Sequence, residues 1–126
     1  MKKVIKTDKA PAPIGPYNQA IIAGNTLYVS GQIAINPSNG QLITINIIQE
    51  ANQVMENIGA ILKEAGFDFK DIVKTTIFLK DMQNFQTVNE VYGNYFTDNF
   101  PARETVEVSG LPKNVNVEIS VIAFRL

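Results

Sequence analysis

Apolar and polar side chains alternate over residues 27–35, which is the period of a β-strand. One side of this predicted strand carries Leu27, Val29, Gly31, Ile33 and Ile35, and the other carries Tyr28, Ser30, Gln32 and Ala34. Turn-forming residues at 36–40 end the run. An extended segment at 17–22 precedes it, and we expect the two segments to pair as neighbouring strands.

The period changes to that of a helix between residues 46 and 65. The apolar residues of this stretch trace one helical stripe, formed by Ile47, Ala51, Val54, Met55, Ile58, Ile61, Leu62 and Ala65. Asn46 followed by Gln49 is typical of a helix start, and Gly66 is typical of a helix stop.

The second half of the chain repeats these patterns. Residues 72–79 predict a strand, and a second helix follows, whose inner face carries Phe85, Val88, Tyr92, Tyr95 and Phe96. That helix should end before residues 99–101, and two more strands are expected near 104–109 and 115–125. The order β-β-α-β-α-β-β predicts one α+β domain over residues 1–126, a mixed β-sheet with two helices on one face.

The last predicted strand has one apolar side and a second side that becomes apolar toward its end. Its inner side carries Val115, Val117, Ile119, Val121 and Ala123, whereas the other side begins with polar Asn116, Glu118 and Ser120 and ends with Ile122 and Phe124. A sheet with one face in water does not need these last two residues. We therefore expect other subunits to cover the second face.

Composition narrows the chemistry. The 126 residues are 45% hydrophobic with a net charge of −1, as in an ordinary globular protein, and the one basic cluster lies at the N-terminal lysines. Nucleic-acid binding is therefore not indicated. Cysteine and histidine are both absent, so catalysis must use carboxylates, hydroxyls, amides, Lys, Arg, Tyr or backbone groups. No membrane span or secretory signal is recognisable, which predicts a cytoplasmic protein.

Two charged residues are candidates for chemistry. Arg103 follows Phe100 and Pro101, and alternation places it with Thr105 and Glu107, on the face that we expect to point away from the helices. It is either a surface arginine or a fork that binds a carboxylate by two parallel hydrogen bonds. Glu118 lies on the face expected to be buried in an assembly. It is either a structural ion-pair partner or a general base that positions water.

Weaker candidates lie elsewhere in the chain. Gly31, next to Ser30, interrupts a strand, which indicates either a bend or the close approach of a ligand. Tyr17 is either a buried anchor or a pocket wall, and Asn89 either bridges structure or reaches over a pocket rim. None of these residues alone specifies a reaction.

Together, the motifs closely resemble the RidA/YjgF family of reactive-intermediate deaminases. The matching stretches are APIGPY at 12–17, VSGQI at 29–33, VKTT at 73–76, FQTVN at 85–89, FPAR at 100–103, VEV at 106–108, LPK at 111–113 and VEI at 117–119. They run in the expected order over nearly the whole chain.

This resemblance implies a chorismate-mutase-like fold (bacillus type), assembled as a homotrimer with the sheets forming an inner barrel. It implies three clefts between subunits and hydrolysis of 2-imino acids, or their enamine tautomers, to 2-keto acids and ammonia. No cofactor and no metal are implied.

The resemblance also implies roles for individual residues. Arg103 is similar to the arginine that binds the substrate carboxylate, and Glu118 to the glutamate that activates water. Tyr17, Ser30 and Asn89 match positions that line the cleft. The backbone of Gly31 matches a position that approaches the ligand.

The chain departs from the family pattern in places. Thr105, assigned to the same cleft, stands where many members carry cysteine, and Ser109-Gly110 replaces a more usual Ala-Arg pair. Two other functions stay open: a non-catalytic trimer that binds a keto or amino acid in the same cleft, and RNA cleavage or translation inhibition. The acidic pI and the absent histidines make the RNA function the least favoured.

Overall fold

The computed structural model describes all 126 residues. Its strands and helices, in chain order, are β1 (Lys2–Ile5), β2 (Ala20–Ala23), β3 (Thr26–Gln32), α1 (Ile47–Ala65), β4 (Ile72–Leu79), α2 (Phe85–Gly93), β5 (Ala102–Glu107) and β6 (Val117–Phe124). Short 3-10 turns precede β4, α2 and β6. No helix is both long enough and apolar enough to cross a membrane.

The six strands form one mixed sheet in the order β1-β2-β3-β6-β4-β5. Only the β4–β5 pair is parallel. The predicted α+β domain with two helices is therefore confirmed, but β1 was not predicted. Strand β1 forms because Val4 and Ile5 pair with Ile21 and Ala20 of β2, and its two lysines lie at the exposed edge of the sheet.

Helix α1 begins and ends at the predicted residues. The side chain of Asn46 accepts a hydrogen bond from the backbone N–H of Gln49 at 2.9 Å. At the other end Gly66 adopts a left-handed conformation with φ of 81°, and its N–H bonds to the carbonyls of Leu62 and Lys63. The buried side of the helix, including Val54 and Ile58, packs on the central strands and forms part of the hydrophobic core.

Strand β3 contains a bulge that breaks the predicted alternation. Val29 pairs with Val121, but Gln32 pairs with Ile119, so three steps along β3 match two along β6. The extra residue reverses the phase, so Gln32 is buried beside the inward-facing Ile119, contrary to the prediction. The strand also ends at Gln32 rather than at Ile35.

The face of the sheet opposite the helices is open and carries several exposed apolar side chains. Tyr28 is 49% exposed, Phe124 is 44% exposed and Val106 is 41% exposed. Ile122, which pairs with Tyr28, is half-buried. Within one chain these side chains face solvent. The predicted second apolar face of β6 is therefore present, while its burial by other subunits stays a prediction.

Candidate active site

Glu118 is the second residue of β6 and lies on the open face, beside its ladder partner Phe78. It is half-buried, and this burial raises the pKa of its carboxyl above the ordinary value. A raised pKa brings the carboxyl closer to the pH range in which it can exchange a proton with water.

The start of β6 is held in place by Glu50, a fully buried carboxylate in the first turn of α1. One oxygen of Glu50 accepts hydrogen bonds from the backbone N–H groups of Asn116 at 2.7 Å and Val117 at 3.0 Å. The other accepts from the side-chain amide of Asn116 at 2.8 Å. Glu50 therefore fixes the backbone next to Glu118. Sequence reasoning missed it, although a carboxylate between Ile47 and Val54 on the apolar stripe was a visible signal.

Gly31, in the β3 bulge, lies directly against the Glu118 side chain. A methyl group added at Gly31 would come within 2.1 Å of Oε2 of Glu118. The glycine is therefore required by space, since its φ is not positive. The group that approaches Gly31 here is the glutamate side chain of the same chain, and the approach of a ligand to Gly31 stays a prediction.

A hollow of about 420 Å³ surrounds this pair, with Tyr17, Ser30 and Glu118 in its walls. The Ser30 hydroxyl donates to the carbonyl of Asn18. The Tyr17 oxygen accepts a hydrogen bond from the backbone N–H of Ile14 at 3.2 Å, which leaves its own O–H proton free to donate.

The segment over this hollow is fastened by one buried amide, that of Gln19. Its Nε2 donates to the carbonyls of Thr7 at 3.0 Å, Ala10 at 3.2 Å and Pro11 at 2.8 Å. Its oxygen accepts from the N–H of Thr7 at 2.8 Å. These four bonds set the path of the chain that leads to Tyr17.

Arg103 lies in a second, smaller hollow of about 280 Å³, whose walls include Asn89, Tyr92 and Pro101. The guanidinium carbon is 5.2 Å from the centre of the Tyr92 ring and 5.7 Å from that of Phe85. The guanidinium has no hydrogen bond and no ion pair within the chain. It is a half-buried cation without an anionic partner.

The predicted face of Arg103 is wrong: the side chain points to the helix side of the sheet. Strand β5 pairs with β4 in a register that puts Arg103 beside Thr75, whose buried hydroxyl accepts a hydrogen bond from Tyr92 of α2. Alternation shows which residues share a face but not which face they share. The error came from equating polar with outward, because at this sheet edge the arginine faces α2 and lies against the rings of Phe85 and Tyr92.

Arg103 and Glu118 therefore lie apart within one chain. Arg103 is level with Thr75 of β4 and Glu118 with Phe78, on the two strands that flank β4. Strand spacings place their Cα atoms roughly 14 Å apart, with side chains on opposite faces. One chain thus carries two separate candidate half-sites, one with Glu118 and the other with Arg103.

The remaining predicted site residues divide between the half-sites. Tyr17, Ser30 and Gly31 lie with Glu118, and Asn89 lies with Arg103. Thr105 is in neither wall, and its hydroxyl is enclosed without a hydrogen-bond partner. No group of three acidic, histidine or cysteine side chains lies close enough together to hold a metal ion.

Comparison with known proteins identifies the family. The model of the protein family described as Endoribonuclease L-PSP matches residues 7–125 of the chain. The chain belongs to this family, the RidA/YjgF family. A human member named 2-iminobutanoate/2-iminopropanoate deaminase is 49% identical over 99% of this chain and 91% of its own length.

Solved structures of RidA/YjgF proteins share the fold. The Rid-family protein YyfA from Yersinia pestis has a TM-score of 0.97 at 51% identity, covering 99% of this chain and 100% of its own. TdcF from E. coli, solved with bound serine, has a TM-score of 0.95 at 39% identity, covering 98% of this chain and 99% of its own.

The two half-sites carry groups of opposite charge. An unpaired guanidinium can bind a planar carboxylate by two parallel hydrogen bonds. A carboxylate with a raised pKa can take a proton from water and return it to a leaving group. Neither half-site alone contains both a guanidinium and a carboxylate.

Proposed function

We infer that this chain hydrolyses 2-imino acids, such as 2-iminobutanoate and 2-iminopropanoate, and their enamine tautomers to 2-keto acids and ammonia. The observation that carries this inference is the unpaired guanidinium of Arg103 in a hollow large enough for a small carboxylate. Human and other relatives named for this activity are about half identical to the chain over almost its whole length.

We further propose that the active site forms between subunits of a homotrimer, whose sheets line an inner barrel. Two features support assembly: the exposed apolar face of the sheet, and the separation of Arg103 from Glu118 within one chain. In the assembly Arg103 of one subunit meets Glu118 of the next across a cleft. The cytoplasmic location stays a prediction from the sequence.

In the proposed reaction Arg103 binds the substrate carboxylate and orients the imine carbon toward Glu118. Glu118 takes a proton from a water molecule while the water oxygen attacks the imine carbon, and a carbinolamine forms. Glu118 then passes this proton to the nitrogen and accepts the proton of the carbinolamine hydroxyl as the C–N bond breaks, which yields the 2-keto acid and ammonia. The proton held by Glu118 leaves with the ammonia as ammonium, which restores the carboxylate. Because the protonated imine is already electrophilic, positioning the reactants supplies much of the acceleration, and no covalent intermediate is needed.

The other site residues complete this cleft. The Tyr17 hydroxyl, whose proton is free, is placed to donate to the substrate, and Ser30 and Asn89 line the walls. The glycine at position 31 makes room for Glu118. Since the Thr105 hydroxyl is enclosed, any contribution of that residue to binding is made through its backbone.

A trapping assay tests the activity directly. A threonine dehydratase generates 2-iminobutanoate, semicarbazide traps the imine, and the added protein should suppress the trapped product. Arg103→Ala should abolish suppression of the trapped product. Arg103→Lys should suppress it only weakly, because an ammonium group cannot form the two parallel hydrogen bonds of a guanidinium. The chain has only one other arginine, so Arg125→Ala is a matched control and should retain activity.

The outcomes separate the proposed function from its alternatives. Unchanged trapping at micromolar wild-type protein, together with measurable binding of 2-oxobutanoate, would favour a non-catalytic ligand-binding protein. Full suppression by Arg103→Ala would mean that the carboxylate binds elsewhere.

A further inference from the structure

Two aromatic side chains of α2 flank the guanidinium of Arg103. Phe85 and Tyr92 are seven residues apart, two helical turns, so they project from the same side of the helix. Their ring centres lie 5.7 and 5.2 Å from the guanidinium carbon, within the range of cation–π attraction.

The Tyr92 ring is itself fixed in position. Its hydroxyl donates to the buried Thr75 Oγ1 at 2.9 Å, and its ring packs on that of Phe96 at a centroid distance of 4.8 Å. Thr75 is also the ladder partner of Arg103, so sheet, ring and guanidinium form one connected unit. Burial raises the pKa of Tyr92, which keeps the ring neutral.

Aromatic contacts hold an arginine differently from ion pairs. They attract the cation as a whole and consume none of its five N–H donors. The other arginine shows the contrast, since Arg125 donates to the carbonyl of Gly66 at 2.6 Å and lies 3.9 Å from the Asp71 carboxylate. Arg103 is therefore held in place while all of its donors stay available.

We propose that Phe85 and Tyr92 are positioning residues that hold Arg103 with its N–H donors free for the carboxylate of the ligand. The identity of that ligand as an imino or keto acid rests on the proposed function. Phe85 is 38% exposed, so its ring can be altered without opening the core.

Replacement of Phe85 tests the proposal through ligand binding. Phe85→Leu removes the ring but keeps an apolar side chain, and should raise the Kd of 2-oxobutanoate by about two- to fivefold. Phe85→Trp keeps an aromatic face and should restore near wild-type binding. Phe67→Leu, the same change at a partly buried position after α1, is the control for general loosening and should leave the Kd unchanged.

An NMR measurement gives a signature that a purely structural role would not produce. With ¹⁵N-labelled arginine the protein has only two side-chain Nε–Hε signals, those of Arg103 and Arg125. The rings should shift the Arg103 signal and restrict its motion relative to Arg125. Phe85→Leu should reduce that shift and leave the Arg125 signal unchanged.

The outcomes distinguish this proposal from the proposed function. If wild type binds 2-oxobutanoate and Arg103→Ala does not, but Phe85→Leu binds as tightly as wild type with an unchanged Arg103 signal, the positioning role is wrong and the carboxylate site stands. If Arg103→Ala binds as well as wild type, the carboxylate site itself is wrong. Should Phe85→Leu fail to fold, an unshifted, mobile Arg103 signal in wild type contradicts the proposal by itself.

Discussion

The contact between Gly31 and Glu118 makes Gly31→Ala a sharp probe of the proposed base. The added methyl carbon would lie 2.1 Å from Oε2, 2.8 Å from Cδ and 3.1 Å from Cγ of Glu118. Ordinary van der Waals contact begins near 3.4 Å, so the carboxylate must retreat by more than about 1 Å. The backbone can stay as it is, because alanine is compatible with the φ of residue 31.

A displacement of this size should slow the reaction without unfolding the protein. Misplacement of a catalytic group by about 1 Å lowers a rate by roughly 100-fold, so kcat should fall by about that factor. The Kd of 2-oxobutanoate should change much less, because Arg103 is on the other half-site. Initial rates in the semicarbazide assay measure the first effect, and calorimetric titration measures the second.

Two controls isolate the contact. Gly110→Ala adds the same methyl group at a position with no neighbour within 4 Å and should leave kcat unchanged. Adding Gly31→Ala to Glu118→Gln should slow the enzyme no further than Glu118→Gln alone, since the affected group is already disabled. A Gly31→Ala protein with wild-type kcat would show that Glu118 is not the base in the position described.

Other predictions concern Glu118, the buried carboxylate of Glu50 and the open face of the sheet. Burial raises the pKa of Glu118, and the base must be ionised to act, so kcat should fall as the pH drops through a value above 4.5. A fall of kcat that begins only below pH 4.5, or one that persists in Glu118→Gln, would contradict this. Glu50→Ala leaves the N–H groups of Asn116 and Val117 buried without a hydrogen-bond partner, and should lower the free energy of unfolding by about 2–5 kcal/mol in urea titrations. Glu50→Gln should cost less. Equal losses in the two variants would argue against the role of Glu50 in holding β6. Tyr28→Glu places a charge on the open face and should shift the sedimentation coefficient toward that of a monomer, whereas an unchanged oligomer would place the interface elsewhere.

The elements with strong periodicity were predictable from the sequence. The stripe of α1 and its caps at Asn46 and Gly66 were predicted correctly, because burial on one side of a helix leaves a repeating pattern. Strand β1 was missed because it is only four residues long and carries two lysines at an exposed edge. The bulge at residues 30–31 was missed because alternation assumes an unbroken ladder.

The candidate residues could be picked out from the sequence, but their arrangement in space could not. Arg103 and Glu118 stood out as charges in strands, yet the face of Arg103 depends on how β5 pairs with β4, a long-range contact that local pattern does not encode. Glu50 and Gln19 hold the surrounding backbone through hydrogen bonds between residues distant in sequence. Their polar side chains at buried positions are the one local trace of these roles.

The central claim is that Arg103 and Glu118 act across a subunit boundary, and mixed oligomers test it most directly. Arg103→Ala and Glu118→Gln proteins, each inactive alone, would be co-expressed in equal amounts and assayed for imine hydrolysis. Random assembly would join an intact arginine to an intact glutamate at about one quarter of the interfaces, so about one quarter of wild-type activity should return. Mixed oligomers that form but stay inactive would place both residues in the site of a single chain and contradict the account.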